Sequence, residues 1–139
     1  MGKILAGKIL ALDIGKKRIG YAVSDFGHTM AFPRETLRAQ PAKKFLKTLG
    51  EIVHEEKIEK MVLGLPLDED NKETAETHAI KKLGATLERE FGIPVIYVDE
   101  FSSTKQALSK IPLRKHRREK GRDDAIAAQI ILERYLEEK

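Results

Sequence analysis

An apolar run that ends in a carboxylate constrains this chain more than any other feature. Residues 8–13 read KILALD, so Asp13 follows four consecutive apolar residues. Such a run predicts a central strand that is covered on both faces of its sheet. Gly15 and two lysines predict a turn, and residues 18–25 predict a second strand that completes a hairpin. An ionised carboxylate at the end of a buried strand is costly without a positive partner, so Asp13 predicts a cation close by.

Hydrophobic periodicity and turn residues divide the rest of the chain into alternating strands and helices. Pro33 restricts the third strand to a sheet edge, and Pro41 suits the first turn of a helix. The remaining predicted elements are strands over 28–36, 60–65 and 95–99, helices over 41–53, 72–91 and 124–137, a short helix capped within 102–104, and a basic loop over 110–122. We therefore predict an α/β fold with a mixed five-stranded sheet, helices on both faces and a single domain over residues 1–139.

Composition excludes several classes of protein. The chain has 139 residues and no cysteine, which excludes disulfides, thiolate metal sites and a cysteine nucleophile. It also lacks a phosphate-binding loop of the GxxxxGKS or GxxxxGKT kind, and its four histidines have no metal-ligand spacing. We expect no signal peptide and no membrane span, and therefore a cytoplasmic protein. The net charge of +4 permits a polyanionic partner without requiring one.

Three separated segments each place an acidic residue where a sheet of this type collects its ligands. Asp13 ends the first strand, Asp99 and Glu100 end the last strand, and Asp124 lies in the first turn of the final helix. Ligands gather outside the carboxyl ends of parallel strands, so these acids are neighbours if the two strands run in the same direction. Carboxylates that repel one another are tolerated where they hold a hard divalent cation such as Mg²⁺. The sequence therefore predicts a metal site suited to phosphodiester cleavage.

Each of these acids also has a simpler interpretation. Asp13 is a common turn residue before Gly15, and Asp123 is a favoured N-cap of the final helix. A surface salt bridge would explain Asp99 or Glu100. Strand alternation puts only one of these two on a given face, and the residues alone do not choose between them. The metal-site prediction therefore depends on three acids converging in space.

Basic residues accompany the predicted site. The stretch 114–122 reads RKHRREKGR and directly precedes the final helix. A bare charge run is usually a solvated loop, but next to metal-binding acids it would attract phosphates. No aromatic side chain interrupts it, so it predicts contacts to a nucleic-acid backbone instead of base stacking. The candidate phosphate contacts are Lys16, Lys17 and Arg18 in the first turn and Lys115, Arg117 and Arg118 in this stretch.

Four blocks of the sequence resemble the YqgF family, also called RuvX. They read ALDIGKKRIGYAVSD, VLGLPLDED, VDEFSSTKQA and DDAIAAQIILERYL, in the family's order and over nearly the whole chain. The resemblance implies a ribonuclease H-like fold, Mg²⁺- or Mn²⁺-dependent nuclease activity, and processing of the 5′ end of the 16S rRNA precursor in the bacterial cytoplasm. It also implies that Asp13, Glu100 and Asp124 are the catalytic and metal-binding acids. Phe101 stands where the family usually has an arginine.

Three other functions stay open on the sequence alone. A Holliday junction resolvase would apply the same chemistry to branched DNA, normally as a symmetric dimer, and the sequence leaves monomer and homodimer open. Sugar kinases and actin-like ATPases also begin with an Asp-x-Gly turn, but they need two such domains to enclose ATP. A non-catalytic nucleic-acid-binding or assembly factor would keep the fold and lose cleavage.

Overall fold

The structure is a computed structural model that describes residues 7–66, 73–99 and 120–138, with side chains from residue 124 onward in the last segment. The strands in these segments are β1 (Lys8–Ile14), β2 (Arg18–Ser24), β3 (Ala31–Arg38), β4 (Ile58–Leu65) and β5 (Val95–Asp99). The helices are α1 (Ala42–Glu56), α2 (Ala75–Phe91) and α3 (Lys120–Glu138).

The strands form one mixed sheet in the order β3-β2-β1-β4-β5. β2 pairs antiparallel with both β1 and β3, whereas β4 pairs parallel with both β1 and β5. The predicted mixed five-stranded sheet is therefore confirmed. Because β1, β4 and β5 run in the same direction, their carboxyl ends meet at one edge of the sheet, where α/β proteins bind their ligands.

Helices cover both faces of this sheet, as predicted. On one face, α1 and α2 pack against alternate residues of β1, including Leu10 and Leu12. On the other face, α3 packs against the intervening residues, including Ile9 and Ala11. We call these the α1/α2 face and the α3 face. Side chains alternate along a strand, so each residue of β1 belongs to one face or the other.

β3 begins three residues later than the sequence predicts. The side chain of Asp25 accepts hydrogen bonds from the backbone N–H groups of Thr29 and Met30, at 2.8 and 2.9 Å. These bonds hold residues 28–30, which the sequence predicts as the start of β3, in a turn, because Asp side chains compete well for nearby backbone donors.

α3 begins at Lys120, so residues 120–122 are helical and do not belong to the predicted loop. Asp123 consequently lies inside the helix, and its predicted role as N-cap is wrong. The apolar periodicity starts only at residue 124, and adding helical residues beyond the packed face costs little once a helix is nucleated. The predicted short helix at 102–104 and the loop over 110–119 lie outside the described residues. None of the helices in the described segments is long and apolar enough to cross a membrane.

Candidate active site

Asp13 lies near the carboxyl end of β1, at the edge where the parallel strands end. Ile9 and Ala11, four and two residues earlier, pack in the α3 layer, so strand alternation puts Asp13 on the α3 face. The residue is partly buried, and its cross-strand partner in β2 is Gly20. Asp13 therefore continues the row of side chains that contacts α3.

Gly20 allows α3 to approach β2 closely. A Cβ atom added to this glycine would lie 2.2 Å from the carbonyl oxygen of Asp124 and 2.8 Å from the backbone nitrogen of Ala125. Directly opposite residues of an antiparallel pair share a face, so Asp13 lies on the side of the sheet where Asp124 enters. The fold thus brings Asp13 and Asp124 to one face. The sequence prediction overlooked Gly20, although an isolated glycine within a strand pattern indicates a close backbone approach.

Arg18 supplies positive charge to this site. Its Nε donates a hydrogen bond to Oδ2 of Asp124 at 3.2 Å, and both side chains are partly exposed. Arg18 begins β2, and its carbonyl oxygen accepts a hydrogen bond from the N–H of Gly15, which closes the β1–β2 turn. The sequence predicts Arg18 as a phosphate contact, and nothing in the sequence indicates this long-range ion pair. Lys16 and Lys17 are exposed at the same turn.

Asp99 lies on the opposite face from Asp13 and Asp124. It is the last residue of β5 and pairs with Leu65 of β4, which packs in the α1/α2 layer. Val98, one residue earlier, packs in the α3 layer instead. The strand therefore directs Asp99 away from the face that α3 covers. Of the two adjacent acids that the sequence leaves open, Asp99 is the one that the geometry disfavours as a partner of Asp13.

Several predicted site residues lie outside the described segments. These are Glu100, Lys115, Arg117 and Arg118, together with the unusual Phe101. Within residues 7–66, 73–99 and 124–138, no group of three histidine or acidic side chains could hold a metal ion. Asp13 and Asp124 are thus the two predicted metal ligands whose positions the structure describes.

The sequence model of the RuvX family, described as Holliday junction resolvase, matches residues 7–138. The chain belongs to the RuvX family. A relative from Maridesulfovibrio salexigens, named "Putative pre-16S rRNA nuclease", is 36% identical over 132 residues, which cover 93% of this chain and 97% of the relative. A relative of the same name from Chlorobium phaeobacteroides is 38% identical over 143 residues, which cover 99% of this chain and 96% of the relative.

Solved structures support the fold of this RuvX-family chain. RuvC of Thermus thermophilus, in complex with a Holliday junction substrate, superposes with a TM-score of 0.58 at 16% identity and covers 93% of both chains. The fowlpox virus resolvase, in complex with Holliday junction DNA, superposes with a TM-score of 0.54 at 14% identity, over 94% of this chain and 97% of the resolvase. These likenesses confirm the predicted ribonuclease H-like fold.

Proposed function

We propose that this RuvX-family chain is a metal-dependent nuclease that hydrolyses phosphodiester bonds, and that its substrate is the 5′ region of the 16S rRNA precursor in the cytoplasm. The observation that carries the proposal is that Asp13 stands opposite Gly20 in the β1–β2 register while α3 approaches Gly20 at Asp124, which puts both acids on the α3 face. The substrate rests on relatives that carry the pre-16S rRNA nuclease name and match nearly the whole chain.

The acids of this face fit a divalent cation. Mg²⁺ and Mn²⁺ prefer carboxylate oxygens, and two partly buried carboxylates on one face are stabilised by a cation between them. Asp13 and Asp124 would hold the metal together with Glu100. Glu100 is the third acid that the resemblance to the YqgF family implies for this set. When bound, such ions activate water and stabilise the leaving oxygen of a phosphodiester.

The basic residues of the site would bind and orient the substrate. Arg18 fixes the carboxylate of Asp124 through its Nε, and its charge offsets part of the repulsion between the two acids. Lys16 and Lys17 are exposed beside Arg18 and suit contacts to substrate phosphates, which are the dominant source of nucleic-acid affinity. Lys115, Arg117 and Arg118 would add such contacts from the segment before α3.

The decisive experiment compares aspartate-to-asparagine variants from the two faces of the same sheet edge. Purified wild-type protein, Asp13→Asn, Asp124→Asn and Asp99→Asn are incubated with end-labelled 16S rRNA precursor and Mg²⁺, Mn²⁺ or EDTA. We expect metal-dependent 5′ cleavage by the wild type, a loss of about 100-fold or more in the first two variants, and near-normal cleavage by Asp99→Asn. The proposal fails if Asp13→Asn cleaves normally or if EDTA has no effect.

A Holliday junction resolvase is the second candidate, because the description of the family model names that activity. The same proteins are therefore tested on a four-way DNA junction. Resolution needs two symmetric cuts and hence a dimer, which analytical ultracentrifugation detects. Cleavage of the junction by a dimer, with intact precursor rRNA, would favour the resolvase. Metal-independent binding without cleavage of either substrate would favour a non-catalytic binding factor.

A further inference from the structure

The exposed side of α1 carries a row of charged residues whose sign changes once along the helix. Phe45 and Leu49 are buried on the opposite side, against the sheet. The row consists of four exposed side chains at intervals of four residues: Lys43, Lys47, Glu51 and Glu55. Residues four apart follow one another along a helix face at about 6 Å, so the four form a single line about 18 Å long. We call this line the α1 charge row; its first half is basic and its second half is acidic.

The direction of the row works against the stability of α1. Positive charge at the N-terminus of a helix and negative charge at its C-terminus both oppose the helix dipole. The first turn of α1 contains Lys43 and Lys44 and no acidic residue, whereas Glu55 and Glu56 are the last two residues of the helix. A lysine that precedes a glutamate by four residues is also the weaker order for an ion pair within one helix. The stability of α1 therefore gives no reason for this distribution of charge.

Contacts within the fold do not account for the row either. In the segments that the structure describes, its four side chains form no ion pair. Glu56, which follows the row directly, behaves differently. It accepts a hydrogen bond from Nζ of Lys8 at 3.0 Å and lies 3.4 Å from Nη2 of Arg34. Glu56 thus attaches α1 to the sheet, whereas the four members of the row have no such role among the described residues.

α2 places its terminal charges in the opposite and favourable order. Its first turn contains Glu76, its last turn contains Arg89, and the side chain of Thr74 accepts a hydrogen bond from the N–H of Thr77. Both helices lie on the same face of the sheet. The unfavourable order is therefore a property of α1 and not of the chain as a whole.

A second copy of α1 in the antiparallel direction is complementary to the entire row. A two-fold axis between residues 47 and 51 brings Lys43 opposite Glu55 of the other copy and Lys47 opposite its Glu51, and symmetry repeats both pairs in reverse. The two helix dipoles then also run in opposite directions. The acidic half would repel a nucleic acid, and a protein surface of one sign would match only one half of the row. Charge complementarity over the full length therefore selects a second copy of this chain.

We propose that the α1 charge row is a self-association surface through which two copies of the chain form a two-fold symmetric dimer. This inference goes beyond the proposed nuclease function and does not depend on it. α1 lies on the α1/α2 face, whereas Asp13 and Asp124 lie on the α3 face, so the two candidate sites of the dimer face away from each other. Exposed ion pairs are individually weak and are screened by salt, so the dimer is transient, with a dissociation constant of about 0.1–1 mM at low ionic strength.

The test exchanges the charges of the row and measures association by sedimentation equilibrium. The wild type is compared with an all-acidic row (Lys43→Glu, Lys47→Glu), an all-basic row (Glu51→Lys, Glu55→Lys) and a reversed row that carries all four substitutions. These positions are exposed and the new charges favour the helix dipole, so the variants should fold, which circular dichroism verifies. The matched control is Lys82→Glu with Arg89→Glu, which makes the same change of charge as the all-acidic row at exposed positions of α2.

The wild type should associate at low salt, and its dissociation constant should rise at least about 10-fold at about 0.5 M NaCl, where the screening length is about 4 Å. The all-acidic and all-basic proteins should each stay monomeric. Mixed in equal amounts, they should associate with each other, because rows of opposite sign then meet. The reversed row should associate as the wild type does, since it is again self-complementary, and the control should also match the wild type.

The proposal is overturned if the wild type stays monomeric at about 1 mM protein in low salt. It is also overturned if the all-acidic and all-basic proteins each associate as the wild type does, or if their mixture stays monomeric. An equal loss of association in the α2 control would overturn it as well, because net charge would then govern association instead of the α1 charge row.

Discussion

The substitution Gly20→Ala tests whether the close contact of α3 with β2 builds the site. The added methyl carbon would lie 2.2 Å from the carbonyl oxygen of Asp124, 2.3 Å from its carbonyl carbon and 2.8 Å from the nitrogen of Ala125. All three atoms belong to the backbone of α3, so no side chain can rotate away. Non-bonded heavy atoms are comfortable at about 3.5 Å, and α3 must therefore move outward by about 1 Å.

This movement should affect both stability and catalysis. Inserting a methyl group into a packed contact costs about 1–3 kcal/mol, and a clash with a backbone belongs at the upper end, near 3 kcal/mol. For a chain of this size, such a loss lowers the melting temperature by roughly 10 °C. Asp124 moves with α3 while Asp13 stays on β1, and a misplacement of about 1 Å in a catalytic arrangement can lower turnover by roughly 100-fold.

Gly84→Ala provides the matched control. A Cβ at Gly84 would lie 2.1 Å from the hydroxyl oxygen of Tyr97, between α2 and β5 on the α1/α2 face. This variant should also be destabilised, although its obstacle is a side chain and the loss should be smaller. It leaves the contact between α3 and β2 intact, so its turnover should stay near the wild-type value at temperatures where it is folded.

Stability is measured by urea denaturation followed by circular dichroism. Metal-dependent cleavage is measured about 15 °C below the melting temperature of the less stable variant, so that both variants are folded. A folded Gly20→Ala protein with wild-type turnover would show that the site does not depend on this contact. Equal losses of turnover in the two glycine variants would attribute the effect to general destabilisation, and would refute the reasoning just as directly.

Three further predictions concern charged groups. Replacing Arg18 by Gln should cost less than about 1 kcal/mol of stability, since the ion pair is partly exposed, but should tighten Mn²⁺ binding because no guanidinium competes for Asp124; weaker Mn²⁺ binding by titration calorimetry would contradict this. Hydrogen bonds from the backbone N–H of Met30 and from Thr29 hold the pKa of the Asp25 carboxyl well below its ordinary value. The ionised carboxylate therefore stabilises the folded protein above about pH 4, and this stabilisation is lost as the pH falls further. Below about pH 4, the melting temperature should fall less for Asp25→Asn than for the wild type. Equal falls in the two proteins would show that the Asp25 turn does not cause the loss of stability in acid. Replacing Lys43 and Lys44, the two lysines in the first turn of α1, with Gln should raise the free energy of unfolding by about 1 kcal/mol, because it removes repulsion from the helix dipole. A lower free energy of unfolding in urea denaturation would argue against that repulsion.

The fold was predictable because each of its elements has a local signal. The apolar run before Asp13 predicts a central strand, and the short turn at Gly15 forces the next strand to be antiparallel. The two later strand–helix units require parallel strands, since a crossover helix returns the chain to the same end of the sheet. Boundaries were less predictable where polar side chains decided them. Asp25 holds a turn that delays β3, and residues 120–123 extend α3 without any apolar periodicity.

The site was only partly predictable, because its contacts cross the chain. Asp13 and Asp124 could be proposed as neighbours from strand ends and the apolar face of the last helix. Their common face, however, depends on the register that sets Asp13 opposite Gly20, and a register is a tertiary property. The Arg18–Asp124 pair depends on the same register and on the position of α3. The shared face of Asp13 and Asp124 and the Arg18–Asp124 ion pair both join distant segments, so no single stretch of sequence predicts either of them.

The carboxylate at the end of β1 now has a structural explanation that does not depend on charge alone. An acid on the α3 face would ordinarily be exposed to solvent where the helix diverges from the sheet, and its position would be poorly fixed. Gly20 has no side chain to separate helix and sheet, so α3 packs at Asp124 and Ala125 directly on the hairpin that carries Asp13. Backbone packing fixes where α3 lies relative to the hairpin, and the hydrogen bond from Arg18 Nε holds the carboxylate of Asp124 itself. The approach of the Asp124 backbone to the hairpin that carries Asp13 therefore depends on a glycine that takes no part in the chemistry.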